Sequence, residues 1–478
     1  MRIVLFYPRG KAYDPGGPDA ADLAAVLPPL GLASIAAMLR AGGHEVAILD
    51  AARVRSVPNE VWAERIVAAE PDFVGFSANT PAFLDAYDVC RRVKETRPAV
   101  RTVFGGVHAS WGRERLLRDF QAIDYLVAGE GEYAFRRLAG GETPRTIPGL
   151  YYRDGSSVLF GPVQDRGSLC RMDDLPFPAY DLVDGFPRKY HLPLFSYSRH
   201  PGAHVVSSRG CVYQCSYCDR SVFQKSFRWN SPEYSFELVK FLHRDYGVRH
   251  VYFYDDLFTL NRKRVAALCG LLEKARLKVW FNCIVRIGHI DKELIGMLKA
   301  GGCWMVNVGI ESGDQRILDR HKEGLRVEDI RRDVRRLHEA GLYVKGLFMM
   351  GFPGENEESI RTTIDFAASL PLKDANLTAF TPYPGAPVAR HIEQLGEFDN
   401  EWDKMDCVNF VFRPHEVPSK ELLENYYRAF LTRFYRRPFM RRMYRAMLFE
   451  SPHSYLRLLR HAGAFLTYAR GMKKRTTR

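Results

Sequence analysis

Nowhere in the chain do eighteen apolar residues run without interruption, so no segment has the length of a membrane-spanning helix. Cysteines are few and odd in number, nine scattered through 478 residues, which excludes a disulfide framework of the secreted kind. The opening Met1-Arg2-Ile3-Val4-Leu5-Phe6-Tyr7-Pro8 is too short an apolar run for a signal peptide, and a cytoplasmic chain is expected. Acidic residues are nearly missing from one place. Between Arg428 and Arg478 fourteen Lys and Arg face the single acid Glu450, and this tail accounts for the whole net charge of +13. It is basic, aromatic and helical in pattern (Arg436, Arg437, Phe439, Met440, Arg441, Arg442, Tyr444, Arg445), which suits a solvated or intramolecular face, or peripheral contact with an anionic membrane. No recognised DNA- or RNA-binding module accompanies it, so nucleic acid is not an expected partner. What is plentiful is apolar content, 46%, enough for two or three packed domains.

Residues 1–140 alternate short apolar runs with amphipathic stretches, and the pattern predicts a doubly wound α/β sheet with strands at 2–7, 45–50, 73–78, 101–106 and 125–129. Residues 141–203 are rich in Pro and Gly and read as a linker, with a hairpin signal at Tyr151-Tyr152-Arg153-Asp154-Gly155. From 204 to 397 the alternation resumes as six βα units, with strands expected at 204–208, 250–255, 278–285, 304–311, 344–351 and 375–381. Ser231 followed by Pro232 marks one helix start, and Asp291 and Gly301-Gly302 bracket another. Six units imply a partial barrel, whose functional groups lie at the C-terminal strand ends. Residues 398–478 form the helical, basic C-terminal region.

Cys211, Cys215 and Cys218 follow the first strand of the second domain in Arg209-Gly210-Cys211-Val212-Tyr213-Gln214-Cys215-Ser216-Tyr217-Cys218. Three thiolates leave a four-ligand metal one donor short. A structural zinc site would need a distant histidine to close it, whereas an iron–sulfur cluster held by three cysteines keeps one iron open to another ligand. Reduced core thiols are the plain alternative, and for Cys90, Cys170, Cys269, Cys283, Cys303 and Cys407 burial as apolar residues is the expectation, with Cys283 and Cys303 able to face a barrel cavity. Later strands end in Tyr254-Asp255-Asp256, Gly309-Ile310-Glu311 and Gly351-Phe352-Pro353-Gly354-Glu355. Any one of these acids could be only a helix cap. Together at one rim they suit a cationic ligand. Arg286, after the third strand of this domain, could meet a carboxylate or serve a structural ion pair.

The cysteine loop resembles that of the radical S-adenosylmethionine (radical SAM) superfamily. Pro29-Leu30-Gly31-Leu32, Gly43-His44-Glu45-Val46, Gly105-Gly106-Val107-His108 and Gly129-Glu130-Gly131-Glu132, in that order ahead of it, resemble the cobalamin-binding branch, which includes anaerobic magnesium-protoporphyrin ester cyclases and many carbon methylases. The resemblance implies a cobalamin-binding Rossmann-like sheet, a radical SAM barrel, and three cofactors: a 4Fe–4S cluster on Cys211, Cys215 and Cys218, SAM near Glu311, Asp255, Asp256, Gly351 and Gly354, and cobalamin near Ser77, Thr80, Gly105 and Gly106. Members that ligate cobalt carry Asp-x-His-x-x-Gly after their first strand. Here Tyr7-Pro8-Arg9-Gly10 stands instead, implying a corrin without a protein histidine on cobalt; His108 is a candidate cobalt ligand, but a lone His after a turn reads rather as a surface or supporting residue. The implied activity is SAM cleavage to a 5′-deoxyadenosyl radical that activates a substrate carbon, for C-methylation or, alternatively, for oxidation, cyclisation or rearrangement of a tetrapyrrole- or natural-product-type substrate. A non-catalytic iron–sulfur regulator is the remaining alternative. Partners implied are a small-molecule or lipid-like substrate and an electron donor such as flavodoxin or ferredoxin.

Overall fold

The computed structural model describes residues 1–463 except 11–25, 55, 166 and 170. The first unit runs β1 (Arg2–Tyr7), α1 (Leu30–Ala41), β2 (Glu45–Asp50), α2 (Asn59–Ala68), β3 (Phe73–Ser77), α3 (Phe83–Thr96), β4 (Arg101–Gly105), α4 (Val107–Asp119), β5 (Tyr125–Val127) and α5 (Gly131–Ala139). The interiors of its central strands, Ile3 to Phe6 and Phe73 to Phe76, carry no polar side chain because both faces are covered. In β1, Ile3 and Leu5 pack with α1 and α5, while Val4 and Phe6 pack with α2 and α3. The strand order is β2-β1-β3-β4-β5, all parallel. The hairpin β6 (Leu150–Asp154) and β7 (Ser157–Phe160) extends this sheet antiparallel to β5, so the segment read as a linker begins as part of the first unit.

The second unit comprises β8 (Gly202–Val205), a two-residue ribbon β9 (Ser208–Arg209) and β10 (Arg228–Trp229), α6 (Pro232–Tyr246), β11 (His250–Phe253), α7 (Arg262–Ala275), β12 (Trp280–Val285), α8 (Lys292–Ala300), β13 (Cys303–Glu311), α9 (Gln315–His321), α10 (Val327–Glu339), β14 (Tyr343–Met350), α11 (Glu357–Ser369) and β15 (Asp374–Ala379). The helix starts behave as the caps predict: Ser231 and Asp291 accept the backbone N–H groups of Tyr234 and Leu294. Six parallel strands in the order β15-β14-β13-β12-β11-β8 make an open half-barrel. Val205, Val251, Phe253, Val306, Val308 and Ile310 face the helices, whereas β14 alternates buried and partly exposed residues, leaving its inner face accessible. Cys283 and Cys303 also belong to the helix-side core and do not face the cavity. The antiparallel pair β16 (Gly396–Phe398) and β17 (Phe412–Pro414) follows.

The C-terminal helices α12 (Lys420–Tyr435), α13 (Pro438–Glu450) and α14 (Pro452–Arg460) serve the barrel directly. Residues 192–198 cross beneath the N-terminal strand ends and are held there. Ser198 N–H donates to His250, Ser454 Oγ accepts from Phe195 N–H, Arg457 donates to the Leu192 carbonyl, and Phe195 packs on Tyr444 and Tyr455. Lys373 is buried there too, donating to the Phe195 carbonyl at 2.6 Å with its ammonium 3.5 Å from the Trp304 ring centroid. Desolvation holds its pKa well below that of an exposed lysine. Part of the tail's charge is intramolecular. Arg437 donates to the carbonyls of Ala367, Ala368, Leu370 and Leu372, closing the exposed C-terminal end of α11.

Arg437→Met keeps the stem and removes those donors. We expect it to cost roughly 2 kcal/mol or more, since hydrogen bonds from a charged donor are among the stronger ones, read as a lower melting temperature; an unaltered melting temperature would show that Arg437 contributes no net stability.

Candidate functional site

The site begins where β8 ends. Asp255, fully buried, accepts from Ser207 N–H at 2.7 Å and from the hydroxyls of Ser207 and Ser208 at 2.7 and 2.6 Å, and faces the buried Arg264 at 3.7 Å. Asp256 accepts Gly210 N–H at 2.9 Å. Both acids named in the sequence as SAM contacts thus brace the stem of the cysteine loop. Burial pushes both carboxyls above their ordinary range. Gly210 has φ +89, and a β-carbon there would overlap the Ser226 carbonyl, so the turn into Cys211 requires glycine.

Cys211, Cys215 and Cys218 are unpaired thiols in one loop. Cys218 reaches solvent at its outer face; desolvation of the thiol within the loop, then Cys215 and Glu311, push it up to about 12, with Lys322 opposing. The loop is anchored by His321. Its Nε2 donates to the Pro353 carbonyl at 2.8 Å, since a carbonyl can only accept, so Nδ1 accepts from the Ser216 hydroxyl at 2.8 Å. Arg286 stacks its guanidinium 3.3 Å from the Tyr213 ring centroid and donates to the Glu323 carbonyl, while Glu323 accepts Gln214 N–H. Arg286 is therefore structural support for the loop.

Glu311 ends β13 at φ +65, in the left-handed region that costs a non-glycine residue energy and recurs at functional sites. It pairs with Lys322 at 2.6 Å, whose ammonium also meets the Gly309 carbonyl at 2.8 Å. Gly351, φ +94, and Gly354, φ +79, shape the turn after β14, where Glu355 accepts Gly351 N–H at 2.6 Å and Phe352 N–H at 3.2 Å. After β15, Phe380 is buried and Tyr383 reaches Cys407 at 3.1 Å.

A cavity of about 290 Å³ lies between the two sheets. Tyr7, Pro28 to Leu32 and Ser77 line it from the first unit, and His204, Val206 and Tyr254 from the second. His204 is 2% exposed and its Nε2 has no hydrogen-bond partner; burial pushes its pKa down to about 3, so the ring is neutral. Ser77 therefore faces the cavity. Gly105 has open space where a side chain would be, and at Gly106, φ +99, a β-carbon would come within 2.7 Å of the Ala78 carbonyl. Thr80 instead lies 2% exposed against His108 Nδ1 at 3.2 Å. His108 is enclosed by Phe83, Trp111 and Trp402, and burial pushes its pKa down to about 4. The loop after β1 is closed by Asp85, which accepts the N–H groups of Arg9 and Gly10.

These donors fit the cofactors that the resemblance implies. Three thiols in one loop suit a cluster with an open iron. Among the described residues no group of three or more His, Cys, Asp or Glu side chains converges on one point, the three thiols included. The orphaned His204 nitrogen and the glycine-lined strand ends suit a broad ligand with polar edges. Sequence reading missed Lys322, His321 and the place of His204 in the cavity, none of which falls in a spaced motif; Glu355 closes the polar run read at the end of its strand. Cys170 and residues 464–478 lie outside the described residues.

Residues 205–367 match the family model of the Radical SAM superfamily and residues 18–139 that of the B12 binding domain. An uncharacterized methyltransferase of Pyrococcus horikoshii is 32% identical over 86% of this chain and 88% of its own. The anaerobic magnesium-protoporphyrin IX monomethyl ester cyclase of Rubrivivax gelatinosus is 26% identical over 92% and 79%. Among solved structures, the radical S-adenosylmethionine methyltransferase TsrM of Kitasatospora setae, with cobalamin and a [4Fe-4S] cluster bound, superposes with a TM-score of 0.65 at 20% identity, covering 82% of this chain and 78% of that one.

Glu355 offers a pH test of the site. Burial pushes its carboxyl up to about 8 from an ordinary 4.5, and Oε1 has no partner. The folded state favours the neutral acid, so this stability is full below pH 4.5 and is lost as pH rises to about 8. Glu355→Gln retains an acceptor for Gly351 and Phe352 and does not titrate. It should melt higher than the native protein at pH 8 and level with it at pH 5; parallel melting curves at both would show that Glu355 is ionised throughout.

Proposed function

The chain belongs to the cobalamin-binding radical SAM enzymes, and on that premise we propose that it methylates an unactivated carbon of a small molecule. Its cofactors are a 4Fe–4S cluster, S-adenosyl-L-methionine and cobalamin. When bound, they supply a 5′-deoxyadenosyl radical to take hydrogen from carbon and a methyl group to replace it. Cys211, Cys215 and Cys218 would hold the cluster. Glu311, fixed by Lys322, is the acceptor for SAM hydroxyls, and the turn at Gly351 and Gly354 lets backbone approach the adenine side. Ser77, Gly105 and Gly106 would meet the corrin, with Thr80 supporting that edge through His108.

The observation that supports this reading is the cavity between the two sheets, lined by Tyr7 and Ser77 at strand ends of the first unit and by His204, Val206 and Tyr254 of the second. The methyltransferase relative supports methylation. The ester cyclase relative, alike over 92% of this chain, supports a second reading in which oxidation or cyclisation proceeds without methyl transfer. An electron donor of the flavodoxin or ferredoxin type completes either scheme. After anaerobic reconstitution with iron, sulfide and hydroxocobalamin, methyl-labelled SAM should yield 5′-deoxyadenosine and leave label with the corrin. Deoxyadenosine without such label favours the second reading. Cys211→Ala should lose both the cluster and SAM cleavage, and full retention of cleavage would refute the assignment.

We also propose a cytoplasmic enzyme with peripheral membrane contact. Among the described residues no helix is long and apolar enough to cross a membrane. The support is narrower than the tail's charge: Leu448, Phe449, Leu456 and Leu459, 49–84% exposed, stand on α13 and α14 beside the exposed Arg441, Arg442, Arg445 and Arg460. Apolar tips ringed by cations suit an anionic bilayer. Removing the tail would unseat the barrel floor, so side-chain replacement is the cleaner test. Phe449→Ser with Leu459→Ser should abolish sedimentation with phosphatidylserine vesicles at unchanged melting temperature; native protein that stays in the supernatant disposes of the idea.

A further inference from the structure

The Gly129-Glu130-Gly131-Glu132 motif has no part in the reaction as described, yet its two carboxylates are buried. Glu130 accepts from Arg209 and from Arg228, and Glu132 accepts from Arg209 at 2.5 Å and from the Ser34 hydroxyl at 2.8 Å. All four charged side chains are 6–16% exposed. The two acids belong to the first unit, and the two arginines to β9 and β10, the stems of the cysteine loop.

The ribbon cannot hold these stems alone. Antiparallel register places Arg209 directly opposite Arg228, a like-charge pair that destabilises a two-stranded ladder. Two residues per strand is also too short for independent stability. The glutamates make the group of four electrically neutral. Their own loop is rigid: Gly129 N–H donates to Ser110 Oγ at 2.9 Å, and Gln164 bonds both the N–H and the carbonyl of Glu130 at 2.8 and 2.9 Å. Gly129 sits at φ +102, where a β-carbon would strike Gln164. On the other side, Arg209 is separated from Cys211 only by Gly210, whose conformation is equally fixed.

We propose that Glu130 and Glu132 are positioning residues for the cysteine loop, so that assembly of the cluster depends on a domain that supplies none of its ligands. The proposal rests on the reading of Cys211, Cys215 and Cys218 as cluster ligands. Undocking the first unit would leave two guanidinium groups opposed in a partly desolvated ribbon, and the stems would separate. The corrin domain and the cluster loop are thereby held in one register, with the motif as the pin.

The test compares the native protein with Glu130→Gln/Glu132→Gln. Hydrogen exchange of the cofactor-free protein should show amides of residues 208–229 exchanging about tenfold faster or more, as expected when a buried charge group is broken, with the β1 to β5 core unchanged. Iron and sulfide retained after reconstitution should fall in parallel, while hydroxocobalamin affinity stays within about twofold, a change too small to mark a lost contact. Arg228→Gln, which leaves Arg209 with both glutamates, should give an intermediate effect and serves if the double variant does not fold. The swap Glu130→Arg/Arg228→Glu should restore protection. Unchanged exchange in the 208–229 ribbon, or uniform acceleration across both units, would overturn the proposal. Native protein that takes up no iron would instead sink the cluster reading while leaving the exchange result to stand.

Discussion

A fully buried carboxylate governs this molecule. Asp255 leaves β11 and gathers Ser207 and Ser208, just past the neighbouring strand β8, through three hydrogen bonds, with Arg264 as its counter-charge. An unpaired carboxylate in such a place would be expensive, so its partners are obligatory. They fix where the chain leaves β8, and Asp256 fixes Gly210 three residues on. The cysteine loop is launched from that frame. His321 then ties it to the turn after β14, and the arginines of the ribbon tie it to the first unit. The loop is irregular along its length but held at its stem, its middle and its rim.

Much of this was legible in the sequence, and the exceptions have physical causes. All eleven strands read from apolar alternation in the two units are present within a few residues, because buried parallel strands leave continuous apolar runs. The hairpin at Tyr151 was visible as a turn, but not its attachment to β5, since edge pairing leaves no mark on local pattern. Cys211, Cys215, Cys218 and Glu311 fall at the expected rim. Asp255 and Asp256 lie there too, with roles that depend on which side chain faces the loop stem, a matter of pleat and register that composition does not carry. Lys322 and His321 come from the helix following β13, and their approach to Glu311 and Ser216 is created only by the fold.

The basic tail divides in two when seen in place. Arg437 and Arg457 are spent on carbonyl groups, capping α11 and the segment under the barrel, while Arg441, Arg442 and Arg445 look outward with Leu448 and Phe449. A cluster of positive charge in a sequence can thus be both mortar and surface. Net charge alone does not separate the two uses; hydrogen-bond geometry does.

The floor of the barrel has a consequence for binding. Residues 192–198, Lys373 and helices α13 and α14 stop the N-terminal end of the strands, and the first unit stands over the opposite rim. With that end closed, the open space lies between the two sheets, where Tyr7 and Ser77 stand across from His204 and Tyr254; a ligand seated there touches both units at once, so its binding also strengthens their docking.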